Sequence, residues 1–114
     1  MSLTWIDWDN HEVTVIALTG KLTLGEGTAR LRDAVREALD RGRNKIVLHM
    51  GEVMYVDSGG LGEMIHSLTT VRAQGGQLKL AKLQSLARDL IQITRLYTVF
   101  EVFPDEEAAV RSFR

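Results

Sequence analysis

The sequence predicts an α/β fold. It reads as a mixed, mostly parallel β-sheet of about four to five strands with about four helices packed against it, residues 1–114 forming one domain. Three observations carry this. Short β-branched runs alternate with longer stretches whose apolar residues recur at the helical period. Glycines stand where those helical stretches stop. Two apolar runs flank one long amphipathic stretch, the pattern of a right-handed parallel crossover.

Leu3 to Trp8 alternates apolar and polar residues, and Val13 to Thr19 is again β-branched, so the two read as strands of a hairpin turning at Asp9-Asn10. Gly20 to Gly25 breaks the pattern. Leu31, Ala34, Val35, Ala38 and Leu39 then mark a helix up to Arg41, closed by Gly42. Lys45 to Met50 has the continuous apolar centre of a strand buried on both faces, and Gly51-Glu52 leads out of it.

Leu61, Met64, Ile65, Leu68 and Val71 share one helical face, and this central helix ends near Gln74 at Gly75-Gly76. Gln77 to Ala81 is the next strand. Ser85 to Tyr97 is helical by pattern, with Leu86, Leu90, Ile93 and Tyr97 on its inward stripe and Ile91 off it. Val99 to Phe103 reads as a last short strand, ended by Pro104 because proline lacks a ladder donor. Asp105, Glu106 and Glu107 place acids at the start of a final helix carrying Ala109, Val110 and Phe113. The order is β-β-α-β-α-β-α-β-α.

The stretch from Met54 to Gly62 organises the rest, because an apolar run stops there, a serine follows an acid, and the long helix begins. Ser58 has the chemistry of an N-cap, its oxygen able to accept from a first-turn amide. Asp57 and Glu63 add negative charge near the positive end of the helix dipole. Gly59, Gly60 and Gly62 each cost roughly 0.8–1 kcal/mol relative to alanine inside a helix. Access is one reason for them: without Cβ atoms nearby, another molecule can approach the Ser58 hydroxyl closely. In open α/β sheets, sites collect beyond the carboxyl ends of the strands, where this stretch lies. On spacing alone, an ordinary capping serine is the simplest reading.

Composition narrows the function classes. An apolar fraction of 45% in 114 residues suits one core. A formal charge of −1 without a basic stripe gives no case for nucleic acid. Without cysteine there is no disulfide, thiol nucleophile or thiolate metal site. The start has neither a basic n-region nor an apolar h-region, and no apolar run approaches the ~20 residues of a membrane span. The chain reads as soluble and cytoplasmic.

Catalytic readings fail on geometry. Val56 occupies the first glycine position of a G-x-S-x-G elbow. His66 lies roughly 12 Å along the helix from Ser58 at ~1.5 Å per residue. His49, near a strand end, reads as a satisfied polar residue, and His11 as a solvated turn residue. Gly60-Leu61-Gly62 would need glycine or alanine where Ile65 stands to match a dinucleotide fingerprint, and no G-x-x-x-x-G-K-[ST] occurs. Glu52, Asp57 and Glu63 lack metal-ligand spacing. No catalytic residue, cofactor or metal is expected, so the protein is not read as an enzyme.

The chain resembles the STAS domain family, named after sulphate transporters and anti-sigma factor antagonists, from about Val13 to Phe113. The resemblance rests on Val15 to Leu22, Ile46-Val47-Leu48, Tyr55 to Gly62, Gly75-Gly76-Gln77-Leu78 and Phe100 to Asp105. It implies a binding protein regulated by phosphorylation. In bacterial antagonists the unmodified protein binds an anti-sigma factor that is itself a serine/threonine kinase of ATPase type, freeing the sigma factor. The kinase then phosphorylates the serine after the aspartate, here Ser58, and a phosphoserine phosphatase reverses it.

The contact surface expected from this comprises Lys21, Thr23, Leu24, Met54, Asp57, Ser58, Gly59, Gly60, Glu63 and Ser67, the last lying beyond the core-facing stripe. Thr23 stands where many antagonists carry aspartate, His49 replaces a common Asp or Asn, and Gly59 replaces a second small residue, often serine. The alternative is a constitutive STAS adaptor or scaffold subunit, in a stress-signalling or lipid-transport complex, in which Ser58 is only a cap. Ile91, Phe100 and Phe103 are expected to form an exposed patch through which copies pair weakly.

Overall fold

A computed structural model describes residues 3–114; Met1 and Ser2 lie outside the described residues. The elements are β1 (Thr4–Asn10), β2 (Val13–Leu22), α1 (Glu26–Asp40), β3 (Lys45–Val56), α2 (Ser58–Ala73), β4 (Gln77–Ala81), α3 (Ser85–Ile93), a 3₁₀ turn (Leu96–Thr98), β5 (Val102–Phe103) and α4 (Glu106–Arg111). The five strands lie in chain order, β1 antiparallel to β2 and each later neighbour parallel. This is the expected order and the expected mixed sheet.

The hairpin turns two residues later than the sequence suggested. Asn10 still pairs with Val13, and His11 and Glu12 form the two-residue turn with φ of 52° and 68°. A tight hairpin of this twist needs positive φ at both central residues, and here two side-chain-bearing residues supply it without glycine.

Alternation along the strands sorts the core into two layers. Ile16, Leu18, Ile46, Leu48, Leu78 and Leu80 point to one face. There they meet Leu31, Val35 and Ala38 of α1, Met64, Leu68 and Val71 of α2, and Ala87 and Ile91 of α3. Val13, Val15, Val47 and Ala81 point to the other face, under Ala109 and Val110 of α4, with Phe103 and Phe113 at the margin. Lys79 is buried on that second face. Its ammonium donates to Ser112 O at 3.1 Å and Ser112 Oγ at 2.9 Å, and it stands 4.3 Å from the Phe113 ring centre. A cation satisfied in this way pins α4 to the sheet.

Both strands that lead to the serine stretch are longer than expected. β2 continues through Gly20, Lys21 and Leu22, and β3 through Gly51 to Val56. Two register shifts let this happen. Ala17 pairs with His49 but Thr19 with Glu52, and Gly20 pairs with Val53 but Lys21 with Tyr55. Each shift places an extra residue in β3, which bends the strand and changes which side chains face out. Along β3, β4 pairs with Lys45 to His49 alone, so among the described residues the far half of β3 has only β2 as a strand neighbour.

Helix α1 begins at Glu26, ahead of its apolar stripe, with Gly25 at φ 108° as the preceding residue. Two further expectations are corrected. Helix α3 stops at Ile93, and Arg95, at φ 59°, breaks the path to Tyr97. Its inward face is Ala87 and Ile91, while Leu86, Ile93 and Tyr97 are exposed. The expected Ile91, Phe100 and Phe103 patch therefore does not exist: Ile91 and Phe100 are core, and Phe103 is half-buried.

Candidate functional site

Helix α2 starts at Ser58, and its capping residue lies one position before the expected one. Asp57, not Ser58, is the N-cap, because its Oδ1 accepts the Gly60 amide at 2.7 Å. The same carboxylate reaches across the molecule and accepts the Leu24 amide through both oxygens, at 3.2 and 3.1 Å. The Asp57 amide donates to Leu22 O at 3.3 Å. One residue thus ties the end of β2, the loop after it and the first turn of α2 together. Donation from Gly60 first, and then from Leu24, holds the Asp57 carboxyl below the usual carboxylate range.

With the cap taken by Asp57, the Ser58 hydroxyl is relieved of that task. Ser58 is the first residue of α2 and is exposed. Apolar side chains surround this end of the sheet: Leu24 is 76% exposed and Met54 66%, and Tyr55 is about half exposed. Lys21, paired in register with Tyr55, is also exposed, and Thr23 is half-buried. Exposed apolar clusters around a polar centre mark interaction surfaces more often than chance scatter does. Tyr55 was missing from the expected surface; the extra residue in β3 turns both Met54 and Tyr55 outward, which strict alternation could not indicate.

The glycines are explained by packing instead of access. A Cβ on Gly60 would collide with the Leu22 carbonyl oxygen, and one on Gly59 would come within 2.7 Å of Leu24 Cβ. Helix α2 can therefore sit against the end of β2 only with glycine at both positions. Gly62 has nothing within 4 Å of a Cβ and no such role.

Three expected contacts, Gly60, Glu63 and Ser67, do not reach the surface. Glu63 is 7% exposed and Ser67 only 2%, both on the flank of α2 turned toward α1. Glu63 Oε1 accepts from Arg32 Nη2 at 2.7 Å, so its charge is matched inside the α1–α2 layer. The apolar stripe named for α2 omitted this flank, because its members are polar yet enclosed by the neighbouring helix. Gly60 is buried too.

Among the described residues no histidine hydrogen-bonds Ser58. His49 Nδ1 accepts the Gly51 amide at 3.3 Å, and His11 Nδ1 bonds Asn10 Oδ1 at 2.7 Å. Among the described residues no group of three or more His, Asp or Glu gathers as a metal site, and no helix is long and apolar enough to cross a membrane.

The five-stranded mixed sheet with an exposed serine at the first residue of its central helix is an α/β domain of the STAS class, and the chain belongs to the STAS domain family, which it matches over residues 9–109. It is similar to BtrV of Bordetella bronchiseptica, described as an anti-sigma factor antagonist. The two are 29% identical over 106 residues, covering 93% of this chain and 91% of that one. The fold is shared with a protein of Thermotoga maritima described in the same way, at TM-score 0.86 and 20% identity, over 95% of this chain and 92% of that one. It is shared also with the phosphorylated form of the Bacillus cell fate determinant SpoIIAA, at TM-score 0.73 and 21% identity, over 97% and 100%.

Proposed function

We propose that this protein is a cytoplasmic anti-sigma factor antagonist, a binding protein and not an enzyme, switched by phosphorylation of Ser58. The unmodified form docks an anti-sigma factor serine/threonine kinase on the surface made by Lys21, Thr23, Leu24, Met54, Tyr55, Asp57, Ser58 and Gly59. Phosphate transfer to Ser58 releases it, and a phosphoserine phosphatase resets the cycle. The observation that carries this reading is an exposed hydroxyl with no capping duty, set among exposed apolar side chains. The names of BtrV and of SpoIIAA support the partner class.

The energetics suit a switch. A phosphoserine brings about −1.5 to −2 charges at neutral pH. At a helix N-terminus the dipole favours an anion, so the fold tolerates it. Against a docked protein the same charge must be desolvated, at a cost of several kcal/mol when unpaired. Turning a 99:1 preference into 1:99 takes ~5.5 kcal/mol. One phosphate covers most or all of that.

The test is capture of the cognate kinase domain by wild-type, Ser58→Ala and Ser58→Asp chains. Ser58→Ala is expected to bind and to keep binding when ATP is added, while Ser58→Asp binds at least tenfold more weakly. Equal binding by both variants, indifferent to ATP, would instead identify a constitutive scaffold subunit.

A further inference from the structure

Among the described residues no strand pairs with the outer edge of β1, so a row of backbone N–H and C=O groups ends the sheet there. The two-residue turn His11-Glu12 fixes which groups these are. Asn10 and Val13 close the hairpin as a hydrogen-bonded pair and bonding then alternates, so Ile6 and Trp8 bond β2 while Trp5, Asp7 and Asp9 direct their backbone groups outward. The opposite edge strand, β5, has only two residues.

Open edges are usually guarded by proline, by lysine or other charges, by a bulge, or by shortness. β1 runs for seven residues in unbroken register and has no proline, glycine or lysine. Its two acids are already matched. Asp7 Oδ1 lies 3.3 Å from Arg41 Nη2, and Asp9 Oδ2 lies 2.9 Å from Arg43 Nη2. Alternation puts Ile6 and Trp8 on the face that α4 covers only in part, where they are 68% and 38% exposed. The Trp8 indole N–H donates to Glu106 Oε2 at 2.9 Å, so the ring is held in place before anything meets it.

These features are self-complementary. Two β1 edges related by a two-fold axis at Asp7 pair antiparallel, with Trp5 opposite Asp9 and Asp7 opposite Asp7, the residues whose backbone groups point outward. The same register sets Ile6 of each copy opposite Trp8 of the other, and aromatic pairs with β-branched residues across strands stabilise a sheet. An Arg41 stands beside each of the two central carboxylates and offsets their repulsion.

We propose that a second copy of this chain docks on β1, joining the two sheets edge to edge in a closed two-fold dimer. Pairing uses up both β1 edges, so assembly stops at two. The inference does not depend on the Ser58 reading.

The experiment is sedimentation equilibrium of the full chain over a wide concentration range, with amide hydrogen exchange followed at both ends of the range. Dimers are expected at high concentration. The amides of Trp5, Asp7 and Asp9 should then gain at least tenfold in protection, while those of Ile6 and Trp8, already bonded to β2, change little. Ile6→Lys alters an exposed side chain, so it should keep the melting temperature of the monomer and raise the dimer dissociation constant at least tenfold. Ile93→Lys, at a comparably exposed isoleucine on α3, should leave that constant unchanged. The proposal is overturned by a monomer at every concentration, by species growing beyond the dimer, by equal effects of the two variants, or by protection gained evenly along β1. Protection of Trp5, Asp7 and Asp9 that is the same at every concentration would assign the edge to a segment of the same chain and reject the second copy. The exchange pattern is read on the wild-type chain, so it decides the matter even if Ile6→Lys loses its fold.

Discussion

A methyl group at Gly60 would run into the Leu22 carbonyl oxygen, which is backbone and cannot swing away, whereas a methyl at Gly62 would meet nothing within 4 Å. The two positions therefore respond oppositely to the same change. Gly60→Ala must push α2 off the end of β2 and should cost about 2 kcal/mol or more, as overpacking does. Gly62→Ala removes only backbone freedom from the unfolded chain and should add about 0.5–1 kcal/mol. Urea unfolding of the two variants checks both signs. Asp57 supplies a pH test. Its folded pKa is depressed by the Gly60 and Leu24 amides, so its contribution is present above the unfolded value of ~3.9 and is lost as pH falls through the folded value. The Leu24 amide resonance should follow that loss below about pH 4, and Asp57→Asn should abolish the dependence. The serine and its acid were legible in the sequence as a pair. Their division of labour was not, because it depends on Leu24, 33 residues earlier, which no local pattern ties to Asp57.

At the scale of elements, α3 shows how two overlapping apolar stripes mislead. Leu86, Leu90, Ile93 and Tyr97 make the heavier stripe, but the helix packs through Ala87 and Ile91, where a small residue lets it approach the sheet. Ile91→Ala should therefore cost about 2–4 kcal/mol, and Ile93→Ala should stay within about 0.5 kcal/mol, as measured by denaturant midpoints. Reversal of that order would restore the heavier stripe as the inward one. The order of elements along the chain was readable because it follows from apolar periodicity. The length of β3 was not. Its second half has one strand neighbour instead of two, so it lacks a continuous apolar run, and Gly51-Glu52 resembles an exit turn although the strand bulges there and continues.

For the whole molecule the question is whether a phosphate on Ser58 acts through the fold or only where it sits. The chain carries a formal charge of −1, so about two further negative charges do not make a large repelling field. Asp57 anchors the first turn through backbone donors, and the core behind it is apolar, which gives the added charge no two-state element to tip. The effect should then be local. Phosphorylation is expected to move amide resonances mainly in residues 22–25 and 54–62, and to change unfolding free energy by no more than about 1 kcal/mol, the usual worth of an anion at a helix start. Salt separates local desolvation from long-range repulsion, since the screening length falls from about 8 Å at 0.15 M to about 3 Å at 1 M. If the phosphate excludes the partner by being unmatched at the contact, high salt should not restore binding to the phosphorylated chain. Recovery of binding at 1 M salt, or resonance changes spreading through β4 and α4, would mean that the charge works at a distance and that the surface around Ser58 is not where the partner is refused.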